Sequence, residues 1–205
     1  MLAIGDSLTA GYCDQGRSNH SYAIHLAKLL SSSPTPVVID EQGRSGEKVY
    51  LTMAQRLQRL LSKSDASPYD WIIILGGTND LACRNSAEKI FQPGLKPMFD
   101  AVLDSTEECR LVAMTVIENG LYSPGEKDDK PRQDLNHLIR HYATAHMEKD
   151  RVYLVDLDKD IPYHGVQGSH DRDSIWDDLV HLTPAGYDRM ATSIYRAIQR
   201  DILPQ

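Results

Sequence analysis

The sequence predicts an α/β fold in one domain, residues 1–205, organised as a doubly wound parallel sheet. Three observations predict it. Short apolar runs alternate along the chain with longer stretches of helical period, the signature of βαβ units with right-handed crossovers. Several runs are β-branched without polar alternation, as in strands buried on both faces of a parallel sheet. Finally, 205 residues of which 41% are hydrophobic suffice for one well-filled core without disulfide or metal support.

The strands are expected at Leu2–Ile4, Val37–Ile39, Trp71–Leu75, Leu111–Val116 and Val152–Val155. Between the first two, Tyr22–Leu30 reads as a helix. Tyr50, Met53, Ala54, Leu57, Leu60 and Leu61 then recur at steps of three and four, forming one apolar stripe. Ser86–Leu103 reads as a helix interrupted near Pro93 and Pro97, because proline removes a backbone donor and clashes with the preceding turn. Pro131 opens another, with Leu135, Leu138, Ile139, Tyr142 and Ala143 on one face. In the last helix Thr183 is the expected N-cap and Pro184 the first helical residue. Its stripe is Tyr187, Ala191, Ile194, Tyr195 and Ile198. Two long polar stretches, Glu118–Lys130 and Asp158–Trp176, are expected as loops of the length that binding loops and lids have, the first also reading as a mobile surface excursion.

Charge narrows the function. With 22 basic and 29 acidic residues the formal net charge is −7, and no Lys/Arg run supplies a phosphate-neutralising footprint. Nucleic acid is therefore not an expected partner, nor is an anionic membrane surface. The longest apolar run, Trp71–Leu75, is far short of a membrane span. Cys13, Cys83 and Cys109 are odd in number and lack C-x-x-C spacing, and no basic segment followed by an apolar run marks a signal peptide. A reducing, cytoplasmic setting is the expectation.

In open α/β sheets ligands gather at the carboxyl ends of the strands. The polar residues there are Gly5-Asp6-Ser7-Leu8, Gly43-Arg44-Ser45-Gly46 and Gly76-Gly77-Thr78-Asn79-Asp80, joined by Asp178-Leu179-Val180-His181 ahead of the last helix. Ester hydrolysis needs a nucleophile, a base, a group that orients the base and donors for the oxyanion. Ser7 can attack, His181 can take its proton, and Asp178, three residues earlier, can hold the other ring nitrogen. Asn79 and the backbone N–H groups of Ser7 and Gly46 can hold the oxyanion. Singly each residue has an ordinary reading as a turn serine, a helix cap or a glycine turn.

Together these segments resemble the GDSL, or SGNH, hydrolase family. Ile4–Tyr12 looks like its first block, Gly46 its second-block glycine, Asn79 its third-block asparagine, and Asp178-Leu179-Val180-His181-Leu182-Thr183-Pro184 its last block. The blocks run in family order from residue 4 to residue 187. The resemblance implies a flavodoxin-like three-layer α/β/α sandwich with a central five-stranded parallel sheet. It also implies a Ser7–His181–Asp178 triad, an oxyanion hole of Ser7 N–H, Gly46 N–H and Asn79, and a small-molecule ester as substrate. Short-acyl esterase activity is expected, without metal or cofactor. A carbohydrate acetylesterase, a thioesterase, a lysophospholipase and a non-catalytic carbohydrate- or ligand-binding module on the same fold are the alternatives. One departure is Asp40-Glu41-Gln42 ahead of Gly43, where many members carry an asparagine, which leaves the second-block loop's pose open.

Other patterns carry less. Asp177 rivals Asp178 as orienter but is one position off the family spacing. Asp6 is expected to buttress its loop. His137 and His141 are four apart on a helix, yet lack the following glutamate and a third ligand of a zinc site. Asp156–Asp160 begins like a calcium loop, but Ile161 and Gln167 stand where glycine and glutamate are needed. No phosphate-cradling glycine motif occurs. Trp176, Tyr163 and His164 could stack on a sugar, or simply pack.

Overall fold

The computed structural model describes residues 1–62, 69–146, 150–165 and 169–203. The chain begins with β1 (Leu2–Gly5), a short α1 (Ser7–Ala10), a small antiparallel hairpin of β2 (Tyr12–Cys13) and β3 (Ser18–Asn19), and α2 (Tyr22–Leu29). Next come β4 (Asp40–Gly43), a π-turn over Val49–Met53 running into α3 (Ala54–Leu61), and β5 (Trp71–Leu75). After these lie α4 (Thr78–Ala82), α5 (Ala87–Ile90), a π-turn over Phe91–Leu95, α6 (Lys96–Ser105) and β6 (Arg110–Met114). The chain closes with α7 (Lys130–His146), β7 (Val152–Val155), α8 (Leu157–Asp160), α9 (Ser169–Ile175) and α10 (Pro184–Ile202).

The main sheet is five-stranded and parallel, in the order β4-β1-β5-β6-β7, the flavodoxin-like pattern. Alternation along each strand divides two cores. Leu2, Ile4, Ile72, Ile74, Leu111 and Ala113 face α3, α5, α6 and α7. Ala3, Ile73, Leu75, Val112 and Met114 face α2, α8 and α10. The stripe residues anticipated on α7 and α10 lie in these cores. Thr183 caps α10, its hydroxyl accepting from Gly186 N–H at 3.2 Å.

One strand falls elsewhere. Val37–Ile39 is not a strand; the edge strand is the polar Asp40–Gly43, in register with Leu2–Gly5. Val38 is 77% exposed, and Asp40 N–H donates to Met1 C=O at 2.9 Å where pairing with β1 begins. An edge strand needs few buried side chains, so hydrophobicity misplaced it by three residues. The Ser86–Leu103 helix breaks near Pro93 as expected, through a π-turn that reorganises the backbone bonds around the missing donor. Within Asp158–Trp176, α9 covers residues expected to be loop, while Gln167 lies outside the described residues. Among the described residues no helix is long and apolar enough to cross a membrane.

Candidate active site

The strand order reverses at β1, which lies between β4 and β5, and a crevice forms outside the carboxyl ends of such strands. Ser7 is the first residue of α1, set there by a sharp exit from β1. Asp6 caps the turn, accepting from Leu8 N–H at 3.0 Å, and Gly11 ends it in the left-handed region at φ 77°. Ser7 Oγ lies 3.0 Å from His181 Nε2, although 174 residues separate them in sequence.

His181 is held from the other side. Its Nδ1 lies 2.8 Å from Asp178 Oδ2, while Asp178 Oδ1 accepts from the backbone N–H groups of Val180 and His181, both at 2.7 Å. Partial burial pushes the Asp178 carboxyl up, but these hydrogen bonds outweigh it and hold it below the ordinary carboxylate value. An ionised Asp178 accepting from Nδ1–H leaves Nε2 free to accept the Ser7 hydroxyl proton. Asp177 points elsewhere, accepting from Gln15 N–H at 3.1 Å.

Of the oxyanion candidates, Asn79 lines the same pocket as Ser7. Asn79 sits in the first turn of α4, which opens at Gly77 with φ 120°, a position where an added Cβ would lie 2.9 Å from the Leu135 side chain. Its Nδ2 donates to Glu47 C=O at 3.1 Å and to Asp6 Oδ2 at 3.3 Å. Gly46 has φ 77° in the turn closed by Glu47 N–H to Arg44 C=O at 3.1 Å, so a side chain there would be strained.

The pose of that turn is fixed by residues with no local sequence signal. Arg56 of α3 is 3% exposed; it pairs with Glu47 and donates to Gln42 C=O at 2.7 Å and Gly5 C=O at 3.2 Å. A single guanidinium thus joins β1, β4 and the glycine turn. Glu41 Oε1 accepts from Gly43 N–H at 2.5 Å, a local tie in the stretch that departs from the family pattern. Tyr12, carried by the hairpin, packs its ring 4.4 Å from the His181 ring.

Beneath Ser7 the carboxyls of Asp6 and Asp80 are fully buried. Desolvation pushes Asp6 up to about 7, with the charges of Asp80 and Glu47 adding to it and the Leu8 N–H bond opposing it. Asp80 is raised for the same first reason, although Val49 N–H donates to it at 3.0 Å.

The remaining patterns are structural. His137 and His141 are exposed on α7. Asp156 and Asp158 are held by Arg140, and Asp158 also by Arg132, in an ion-pair network between α7 and the end of β7. Trp176 is 5% exposed, with Nε1 donating to Pro162 C=O at 3.2 Å and its ring in a T-shaped contact with Tyr163, so it packs instead of presenting a sugar platform. His164 Nε2 lies within 3.1 Å of the Asn119 and Tyr122 carbonyls and ties down the 118–123 loop. Among the described residues, no group of three or more His, Cys, Asp or Glu side chains is arranged to hold a metal ion.

The model of the GDSL-like lipase/acylhydrolase family matches residues 3–189. The chain belongs to the GDSL-like lipase/acylhydrolase family. This GDSL-family chain shares its fold with a Clostridium thermocellum family 3 carbohydrate esterase, at 21% identity over 98% of this chain and 95% of that one, with a TM-score of 0.71. It is also similar to the M. smegmatis aryl esterase, at 19% identity over 98% of both chains and a TM-score of 0.69. A member of the lipolytic G-D-S-L family from Veillonella parvula matches at 17% identity over 97% of both chains, with a TM-score of 0.68. No curated protein matches the chain by sequence. In general terms the family makes this GDSL-like protein an ester hydrolase.

Proposed function

We propose that this protein is a serine hydrolase that cleaves short-acyl carboxylic esters through an acyl-enzyme. The observation that carries the reading is the unbroken hydrogen-bond chain from Ser7 Oγ through His181 to Asp178. Ser7 attacks the carbonyl while His181 Nε2 takes its proton, then returns it to the leaving alcohol. Asp178 stays ionised, fixes the tautomer and stabilises the imidazolium. Water repeats the sequence on the acyl-enzyme and releases the acid. The oxyanion is received by Ser7 N–H, Gly46 N–H and Asn79 Nδ2. Asn79 keeps its Glu47 bond and turns its longer donation, now to Asp6, toward the developing charge.

The test is hydrolysis of p-nitrophenyl esters from acetate to palmitate by wild type and Ser7→Ala. Activity that peaks at short chains and collapses in the variant supports the reading. A folded Ser7→Ala retaining full activity, or a wild type left unlabelled at Ser7 by a fluorophosphonate, overturns it.

A further inference from the structure

Beside Ser7 opens a pocket of about 480 Å³. Ser7, Asn79 and His181 line it. Leu81, Val116, Leu121 and Pro131 give it apolar walls, and Arg84, Lys127 and Asp128 line it as well. The helix α4 relates Asn79 to Arg84. Asn79 lies in its first turn and Arg84 just beyond its end, five residues later, roughly 7 Å away at the helical rise.

The charges along this wall are unequal in standing. Arg132 also lines the pocket, but its charge is taken up by Asp129, at 2.6 and 2.9 Å, and by Asp158. The exposed side chains of Arg84 and Lys127 make no hydrogen bond or ion pair among the described residues, and one carboxylate, Asp128, offsets the two of them. In a chain of net charge −7, this leaves a locally positive surface next to the candidate nucleophile. Arg84 also sits at φ 57°, bonding Leu81 C=O through its N–H at 2.7 Å. A helix end of that kind favours glycine, so the backbone gains nothing from arginine there.

We propose that this pocket selects esters with an apolar arm ending in a carboxylate, and that Arg84 and Lys127 are its specificity-determining residues. The proposal rests on the hydrolase reading above and extends it to a substrate class. The arm lies along Leu81 and the walls opposite, excluding water from the approach. The carboxylate then meets two cations that ion pairs do not already occupy. Two partly solvated pairs of this kind favour the charged substrate by about 2- to 30-fold in kcat/KM, expressed through KM, since the contact is made in ground and transition states alike.

The experiment compares two matched pairs of esters with wild type and the double variant Arg84→Gln/Lys127→Gln. In the first pair, p-nitrophenyl hexanoate and mono-p-nitrophenyl adipate differ by a carboxylate on the acyl arm. In the second, the butyrate esters of hexanol and of 6-hydroxyhexanoate differ by one on the alcohol arm. The expected result is a lower KM for the charged member of at least one pair, an advantage that shrinks at high salt and is lost in the double variant. The neutral member keeps its kcat in that variant, which also reports an intact fold, and the pair that responds identifies the arm. If neither pair shows the advantage, or if it survives in the double variant, the proposal is overturned while hydrolysis of the neutral esters leaves the underlying reading standing. Hydrolysis of none of these esters by wild type overturns both.

Discussion

Replacing Asp6 by Asn tests the buried charge beneath the candidate nucleophile. Asp6 is fully buried and its carboxyl is pushed up to about 7, from an ordinary value of 3.8. A carboxyl raised on folding binds its proton more tightly in the folded chain. Its contribution is therefore fully present below the unfolded value and is lost as pH rises through the folded one. Between about pH 5 and about pH 8 the linkage relation gives a loss of about 2.5 kcal/mol from this group alone. In Asp6→Asn that loss is absent. The new amide opposes the Asn79 amide, at a cost of about 1–3 kcal/mol that is the same at both pH values and cancels in the comparison. Urea unfolding of both proteins at the two pH values measures it. The stability gap between wild type and variant is expected to move in the variant's favour by about 2.5 kcal/mol from the lower to the higher pH. A gap that does not change within the error of the extrapolation refutes the argument that Asp6 is held there against its own desolvation.

Other perturbations have equally definite outcomes. Asp178→Asn keeps the side-chain shape but removes the charge facing Nδ1, so kcat should fall by about 10⁴ with little change in melting temperature. Because Asp178 is held below the ordinary carboxylate value, its part in stability should persist above the unfolded value and fade only as pH falls through the folded one. Asn79→Ala should lower kcat by about 10²–10³, and an unchanged kcat in the purified variant would remove it from the oxyanion hole. Arg132→Met leaves Asp129 buried without its cation and weakens the tie to Asp158; equilibrium unfolding should show a loss of about 3–5 kcal/mol.

The blocks that carry the candidate chemistry were legible because each is a short local pattern, three at strand ends and one in the turn before α10. Glycines mark the turns, and the three-residue spacing of Asp178 and His181 lets one turn bring carboxylate and ring together. Asp178 meets the His181 ring, while Asp177 turns to Gln15. The edge strand was misplaced because its side chains are polar, and its position follows from pairing with β1. Arg56 could not be singled out, since a buried arginine looks like a surface one until Glu47 and two strand carbonyls surround it.

By itself, then, the sequence determined what local periodicity and turn chemistry can encode. The alternation of strands and helices, the strands buried on both faces, the caps of α10 and the residue types at each strand end are such features. Only the tertiary structure decided which distant groups meet. Ser7 and His181 reach 3.0 Å because β1 and the turn before α10 are packed onto the same end of one sheet. Tyr12 meets the imidazole because a two-stranded hairpin folds back beside it. Arg84 and Lys127, 43 residues apart in sequence, line one pocket because α4 and the 118–130 segment face each other there. Such contacts follow from the closure of long loops around a common core, and no short window of sequence contains both partners.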